Sequence, residues 1–271
     1  MSDALISSRQ NALIKRARRL QQKKYRAREK AFFVEGIRIV LTALEQAAPV
    51  ETVIYAPELL TSDVALQAIE AYRRRGGQVT AVTGDVFQSI STRDSARGLG
   101  AIISAGVKSL ADLVAREGDI FVAIEDVSDP GNLGTIVRTV DAVDAAGVIV
   151  VGQSTDPFHP TALRASMGAL FSAPVAVAES FDSVWPWARQ HRLQTIATSA
   201  HAEQSFWDAG YRLPALLLLG SEGEGLSEEV QAQADLSVAI PMFGVSSSLN
   251  LAVAAGLLLY ELRRVGDARR T

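Results

Sequence analysis

The second half of the chain alternates short, wholly apolar runs with helical segments, and this pattern leaves few possible folds. Ile120 to Ile124, Gly147 to Val151, Pro174 to Val177, Gln194 to Thr198, Ala215 to Leu219 and Leu236 to Ile240 each read as a strand. A strand that is apolar on both faces cannot keep one of them in water, so it belongs inside a sheet covered on both sides. Helices between such strands make the sheet mostly parallel and the class α/β. Ligands of open parallel sheets bind outside the carboxyl ends of the strands, so the turns after these runs are where chemistry is expected.

At 271 residues the chain can bury two separate cores. Its first part reads as a smaller α/β domain. Leu13, Ile14, Ala17 and Leu20 lie at helical spacing within one basic amphipathic helix from Asn11 to Glu29, followed by a short strand at Phe32 to Gly36, a helix from Ile37 to Gln46 and a strand from Val50 to Tyr55. A short polar stretch marks the boundary. The expected division is residues 1–105, a linker at 106–118 and a second domain at 119–271. Near the end, Leu249 to Leu262 is almost entirely apolar, and a helix apolar all round must be buried within its domain or against a second copy of the chain.

Composition removes several chemistries. The chain has no cysteine, which excludes disulfides, thiolate metal sites and a cysteine nucleophile and suits a reducing compartment. Its three histidines, His159, His191 and His201, have no metal-ligand spacing, so no metal is expected. No apolar run is long enough to span a membrane, and Met1 to Leu20 lacks the apolar core of a secretion signal, so the expected location is the cytoplasm. The formal net charge of −3 hides an uneven distribution. Residues 1–40 carry eleven Lys or Arg against three acids, a net +8 that leaves −11 for the remainder. A basic arm on an acidic body points to a polyanionic partner.

Three segments of the second half join strand-like residues to turns. In the first, Asn132-Leu133-Gly134-Thr135-Ile136-Val137-Arg138, Asn132 is placed to cap a helix, and Arg138 falls in an apolar stretch where burial would demand an anionic partner, protein or substrate. In the second, Leu219-Gly220-Ser221-Glu222-Gly223-Glu224-Gly225-Leu226, the glycines allow a ligand close to the backbone. The absence of a Gly-Lys-Ser or Gly-Lys-Thr ending disfavours a triphosphate, and two acids suit a neutral or cationic ligand better. In the third, Ile240-Pro241-Met242 precedes Ser246-Ser247-Ser248, which offers helix caps, and Asn250 in the first turn of the apolar helix. A nicotinamide-dependent oxidoreductase is disfavoured, because Gly98-Leu99-Gly100 lacks the third glycine of the dinucleotide fingerprint.

At these residues the chain resembles the SpoU or TrmH branch of the SPOUT methyltransferases, which transfer a methyl group from S-adenosylmethionine to a ribose 2′-hydroxyl of RNA. The three segments occur in the family's order over residues 119–264, with Arg164-Ala165-Ser166-Met167-Gly168-Ala169-Leu170-Phe171 between the first two. Phe33-Val34-Glu35-Gly36 and the preceding basic residues resemble the substrate-binding domain found on ribosomal-RNA members. The resemblance implies a trefoil-knotted domain and a homodimer whose active site combines two subunits. It assigns catalytic roles to Asn132, Arg138, Glu222, Ser248 and Asn250. It assigns S-adenosylmethionine contacts to Thr198, Leu219, Gly220, Ser221, Gly225, Ile240, Met242, Ser248 and Leu249. Ser221 stands where many relatives have Asn. Arg9, Lys15, Arg16 and Arg38 are the candidate RNA contacts, with ribosomal RNA, 23S in particular, favoured over transfer RNA. The alternatives are a transfer-RNA 2′-O-methyltransferase and an inactive RNA-binding ribosome-assembly protein that keeps the fold.

Overall fold

A computed structural model describes residues 5–268; the outermost residues of the two expected domains, 1–4 and 269–271, lie outside the described residues. The chain forms two compact units, one running to Gly106 and taking in Phe158–Arg164, the other made of Val107–Pro157 and the chain from Ala165 onward.

The first unit begins with α1 (Ala12–Arg19) and α2 (Lys23–Glu29), followed by β1 (Ala31–Glu35), α3 (Ile37–Glu45), β2 (Val50–Tyr55), α4 (Asp63–Arg74), β3 (Val79–Ala81), α5 (Gly84–Gln88) and β4 (Leu99–Ser104). Its sheet has the order β1-β4-β2-β3, antiparallel except for the β2–β3 pair. The single basic helix expected over Asn11–Glu29 is two helices. The chain breaks because Leu20 is buried and Arg26, itself only 4% exposed, turns inward and donates to the Leu20 and Gln21 carbonyls at 3.0 and 2.6 Å. Those carbonyls lie at the end of α1, where no further turn of helix donates to them, so a buried guanidinium satisfies them instead.

Arg16 is also structural. Its Nε donates to Glu29 at 2.9 Å and its Nη1 to Glu51 at 2.5 Å, while Ser104 Oγ donates to the other Glu51 oxygen at 2.9 Å. Arg16, expected to contact RNA, has its guanidinium paired with two carboxylates. Arg9, Lys15 and Arg38 are exposed.

The second unit contains β5 (Ile120–Glu125), α6 (Pro130–Ala142), β6 (Gly147–Val151), α7 (Pro160–Ala165, its first five residues grouped with the first unit), β7 (Val175–Ala178), α8 (Phe181–Gln190), β8 (Gln194–Thr198), β9 (Gln204–Ser205), β10 (Ala215–Leu219), α9 (Glu228–Gln233), β11 (Leu236–Ala239) and α10 (Leu251–Ala268). The sheet order is β7-β6-β5-β10-β8-β11-β9, and every pair is parallel. β6 and β10 are buried at every residue, as strands covered on both faces must be. Lys108 pairs beside Ala176, Leu113 is buried, and its carbonyl accepts from Trp187 Nε1 at 3.0 Å, so residues 107–118 belong to this unit's core edge.

α10 packs on α6, β10 and β5 through Ala252, Ala255, Leu258, Leu259 and Leu262. Burial within the domain, one of the two expected settings, accounts for only part of the helix. Val253, Leu257 and Tyr260 are 52%, 42% and 58% exposed, so one apolar row of the helix faces outward. Farther along α10, Arg263 donates to the Val143 carbonyl at 2.6 Å and to the Asp144 carbonyl, covering backbone acceptors at the end of α6. Among the described residues no helix is long and apolar enough to cross a membrane.

The Arg16 pair sets a pH dependence for the first unit. Hydrogen bonding to Arg16 first, and to Ser104 after it, holds the Glu51 carboxyl below its ordinary value of 4.5 against the opposing effect of burial. A depressed carboxyl stabilises the fold above its unfolded value and loses that contribution as pH falls through the folded one. Glu51→Gln should cost about 1 kcal/mol at neutral pH and flatten the loss of stability below pH 4.5, measured by urea unfolding across pH 3–7.

Candidate active site

β5 and β10 are neighbours at the centre of the sheet, and the chain leaves them in opposite directions, from β5 to β6 on one side and from β10 to β11 on the other. This is a topological switch point, where the turns leaving the carboxyl ends part and leave a crevice. The first turn segment leaves β5 and the second leaves β10.

Helix α6 is capped by Asp129, not by Asn132. Asp129 Oδ1 accepts from the Gly131 N–H at 2.7 Å, and Pro130 occupies the first helical position, where its missing N–H costs nothing. Asn132 is thereby released from capping. Its Nδ2 donates to Glu222 Oε1, and its Oδ1 accepts from Asn250 Nδ2 at 3.0 Å. Glu222 also accepts from Ser128 Oγ at 3.0 Å through its second oxygen.

The third segment is likewise capped by a residue other than those expected. Ser246, Ser247 and Ser248 lie in an exposed segment, and Asn250 is the cap, its Oδ1 accepting from the N–H groups of Ala252 and Val253 at 2.9 and 3.3 Å. This fixes the direction of the whole chain of hydrogen bonds. Because the Asn250 oxygen is taken by backbone donors, its amide nitrogen must face Asn132, which must then present its own oxygen to Asn250 and its nitrogen to a carboxylate. Glu222 supplies that carboxylate. Three turns separated by 90 and 118 residues are thus joined in one ordered polar edge.

Sequence reasoning did not single out Ser128 or Asp129. Both belong to the Ser-Asp-Pro turn before α6, and a cap placed directly before a proline is the signal that would have identified Asp129.

Arg138 does not join this edge within its own chain. It is exposed on α6 and makes no ion pair among the described residues, so of the two expected anionic partners the protein supplies none within these residues. The neighbouring Leu133, Ile136, Val137 and Val140 face the core, and Arg138 falls on the opposite side of the helix. Ser248 is exposed two residues before Asn250 and is not part of the hydrogen-bonded edge.

The residues assigned to the cofactor gather at the carboxyl ends of the adjacent strands β8, β10 and β11. Thr198 ends β8 and donates its hydroxyl to the Leu218 carbonyl at 3.1 Å, Leu219 ends β10, and Ile240 follows β11. The glycine turn closes on itself, with Ser221 N–H donating to the Gly225 carbonyl at 3.2 Å and Gly225 N–H to the Ser221 carbonyl at 3.1 Å. Gly220 cannot be replaced. A side-chain carbon there would stand 2.0 Å from the Gly225 backbone, well inside any contact distance. Residues 242–249 are exposed and form neither helix nor strand, which leaves their backbone groups, and the partly exposed side chains of Met242 and Leu249, accessible to a ligand. Among the described residues, no group of three or more His, Asp or Glu could hold a metal.

Residues 119–260 match the SpoU rRNA Methylase family, and residues 11–101 match the MRM3-like substrate binding domain. The chain is 32% identical to the 23S rRNA (uridine(2479)-2′-O)-methyltransferase of Streptomyces viridochromogenes over 91% of its own length and 87% of that protein's. It is 28% identical to the 23S rRNA (guanosine(2553)-2′-O)-methyltransferase RlmP of Bacillus subtilis, covering 95% and 98% of the two chains. An AdoMet-bound rRNA methyltransferase from Sinorhizobium meliloti superposes with a TM-score of 0.86 at 36% identity, over 96% of this chain and 97% of that one.

Replacing Asn250 by Asp separates the two tasks of that residue. The carboxylate still accepts the helix N–H groups but turns an acceptor toward the Asn132 oxygen. Asn250→Asp should keep the unfolding temperature within a few degrees of the parent, since Asp caps helices as well as Asn does. Catalytic turnover should fall at least about tenfold, the effect of losing one positioned hydrogen bond; thermal unfolding and turnover measured on the same sample check both.

Proposed function

Because the chain belongs to the SpoU rRNA methylase family, we propose that it transfers a methyl group from S-adenosylmethionine to a ribose 2′-hydroxyl of 23S ribosomal RNA. The observation that carries this reading is the hydrogen-bonded edge of Ser128, Glu222, Asn132 and Asn250, which draws together the three segments that resemble the family's motifs. The cytoplasm is then the place of action.

S-adenosylmethionine fits the strand-end turns. Ile240, Met242 and Leu249 offer apolar surface for an uncharged adenine, buried Leu219 adds only a place in the strand-end turn, Thr198, Ser221, Gly225 and Ser248 offer polar groups, and Gly220 keeps the turn closed. Glu222 and Glu224 suit a cationic sulfonium better than a phosphate. When bound, the cofactor supplies an electrophilic methyl group.

The chain's own residues position the nucleophile. Asn132 and Glu222 present fixed hydrogen-bonding groups to the ribose, Asn250 holds Asn132 in one orientation, and Ser248 contributes a hydroxyl from the neighbouring segment. Arg138 acts as a donor to the phosphate beside the target or to the developing alkoxide, because a guanidinium keeps its proton at neutral pH. The outward row of Val253, Leu257 and Tyr260 supports a homodimer, and the separation of Arg138 from its own chain's edge supports its working in the partner's site. The strand order, with β10 inserted between β5 and β8, supports the family's trefoil knot. In the first unit, exposed Arg9, Lys15 and Arg38 extend the phosphate contacts. We assign residues 1–105 to RNA capture and 119–271 to methyl transfer; of the stretch between, 107–118 groups with the latter.

Labelled methyl should pass from S-adenosylmethionine to unmodified 23S ribosomal RNA and not to a transfer-RNA pool, and Arg138→Ala and Asn132→Ala should each abolish it. Labelling confined to transfer RNA would move the substrate, and no labelling with no cofactor binding would leave an RNA-binding protein without activity. Mixing the two inactive variants should restore roughly a quarter of parent activity, as random exchange in a two-fold dimer leaves one complete site in half of the dimers. Arg138→Lys should remain well below parent turnover, because an ammonium cannot present the planar fork.

A further inference from the structure

Two large aromatic side chains stand exposed at the end of the sheet that carries the site. Trp207 is 55% exposed and Phe243 is 85% exposed, yet their rings lie nearly parallel, with centroids 6.3 Å apart and 17° between planes. The pair is rooted in the fold. Phe206, only 5% exposed, packs against Trp207 at 5.2 Å, and its N–H donates to the Ala239 carbonyl at the end of β11 at 2.9 Å. β9 and β11 are parallel, so Trp207, two residues beyond β9, emerges at the carboxyl ends of the strands. Phe243 arises from the exposed segment after β11, five residues before Ser248 and seven before Asn250.

An apolar surface of this kind is normally covered by something. The observations favour an unpaired base over a second protein chain. The rings are held parallel at the carboxyl ends of the strands, Phe243 on the same segment that carries Ser248, and a flat aromatic face is what an unstacked nucleobase accepts. A separate apolar row, Val253, Leu257 and Tyr260 on α10, already offers a surface for a second copy. We propose that Trp207 and Phe243 form a stacking platform for an unpaired nucleobase beside the target ribose of the RNA substrate. The proposal rests on the methyl-transfer reading above and extends it to how the RNA is held. Because every base has an aromatic face, the platform adds affinity and orientation without selecting the base.

The chain carries its own reporter. Of its three tryptophans, Trp185 and Trp187 are each 6% exposed, so Trp207 dominates the solvent-accessible fluorescence. Adding a short single-stranded RNA to the full-length protein should quench and protect that fluorescence, a duplex of the same length should do so less, and Trp207→Phe should remove the signal. Trp207→Ala and Phe243→Ala should raise the KM for ribosomal RNA roughly ten- to hundredfold, the range expected for a lost base stack, while kcat and S-adenosylmethionine binding change little. Trp207→Phe should restore most of the KM. Unchanged KM in both alanine variants, with parent turnover retained, would overturn the platform and leave the methyl-transfer reading intact. Protection of Trp207 that grows with protein concentration in the absence of RNA would overturn it in favour of a second copy. A parent chain that neither binds nor methylates RNA would overturn both readings together.

Discussion

The docking of α10 along α6 is the constraint on which the second unit's site depends. Near the start of the two helices Asn250 caps α10 and hands its amide to Asn132 on α6, and near their far ends Arg263 on α10 covers the last carbonyls of α6. Between these points the helices pack on each other, and their buried apolar residues include Ile136 and Val140 on one and Ala255, Leu258 and Leu262 on the other. This burial supplies most of the free energy, since each fully buried leucine contributes on the order of 2 kcal/mol. The polar contacts at the ends fix the register. A slide of one helix past the other would break both sets of hydrogen bonds and leave helix ends without partners.

That register converts packing into chemistry. Asn132 sits at the third position of its helix and is available only because Asp129 takes over the capping and Pro130 needs no acceptor. Asn250 is oriented by the backbone it caps, Asn132 by Asn250, and Glu222 receives from Asn132 and Ser128. Each amide has one orientation that satisfies its neighbours, so the edge is ordered before any substrate arrives. A preordered edge spends no binding energy on arranging its donors, which is the condition for aligning a weak nucleophile such as a ribose hydroxyl.

Charge is divided between the units in a comparable way. The excess of Lys and Arg in the first forty residues is not one undifferentiated patch: Arg16 closes an ion pair with Glu29 and Glu51, and Arg26 is buried against the end of α1, whereas Arg9, Lys15 and Arg38 remain at the surface. Some of the cations hold the fold, and the exposed ones are available to a polyanion.

The alternation of apolar runs and helices was enough to determine a parallel α/β sheet, and the runs at Gly147–Val151, Gln194–Thr198 and Ala215–Leu219 form strands with those bounds, because a strand buried on both faces writes its burial into every residue. The glycine, asparagine and serine turns were legible as sites for the same local reason: they interrupt that pattern at strand ends. What the sequence could not determine was which polar residue serves the backbone and which is left for chemistry. Asn132 and Ser248 looked like caps, yet Asp129 and Asn250 do the capping; Arg16 looked like a surface cation, yet it is paired. Capping and pairing depend on distances between residues far apart in the chain, such as Asn132 and Asn250 or Arg16 and Glu51, and only the tertiary structure brings those groups within hydrogen-bonding range.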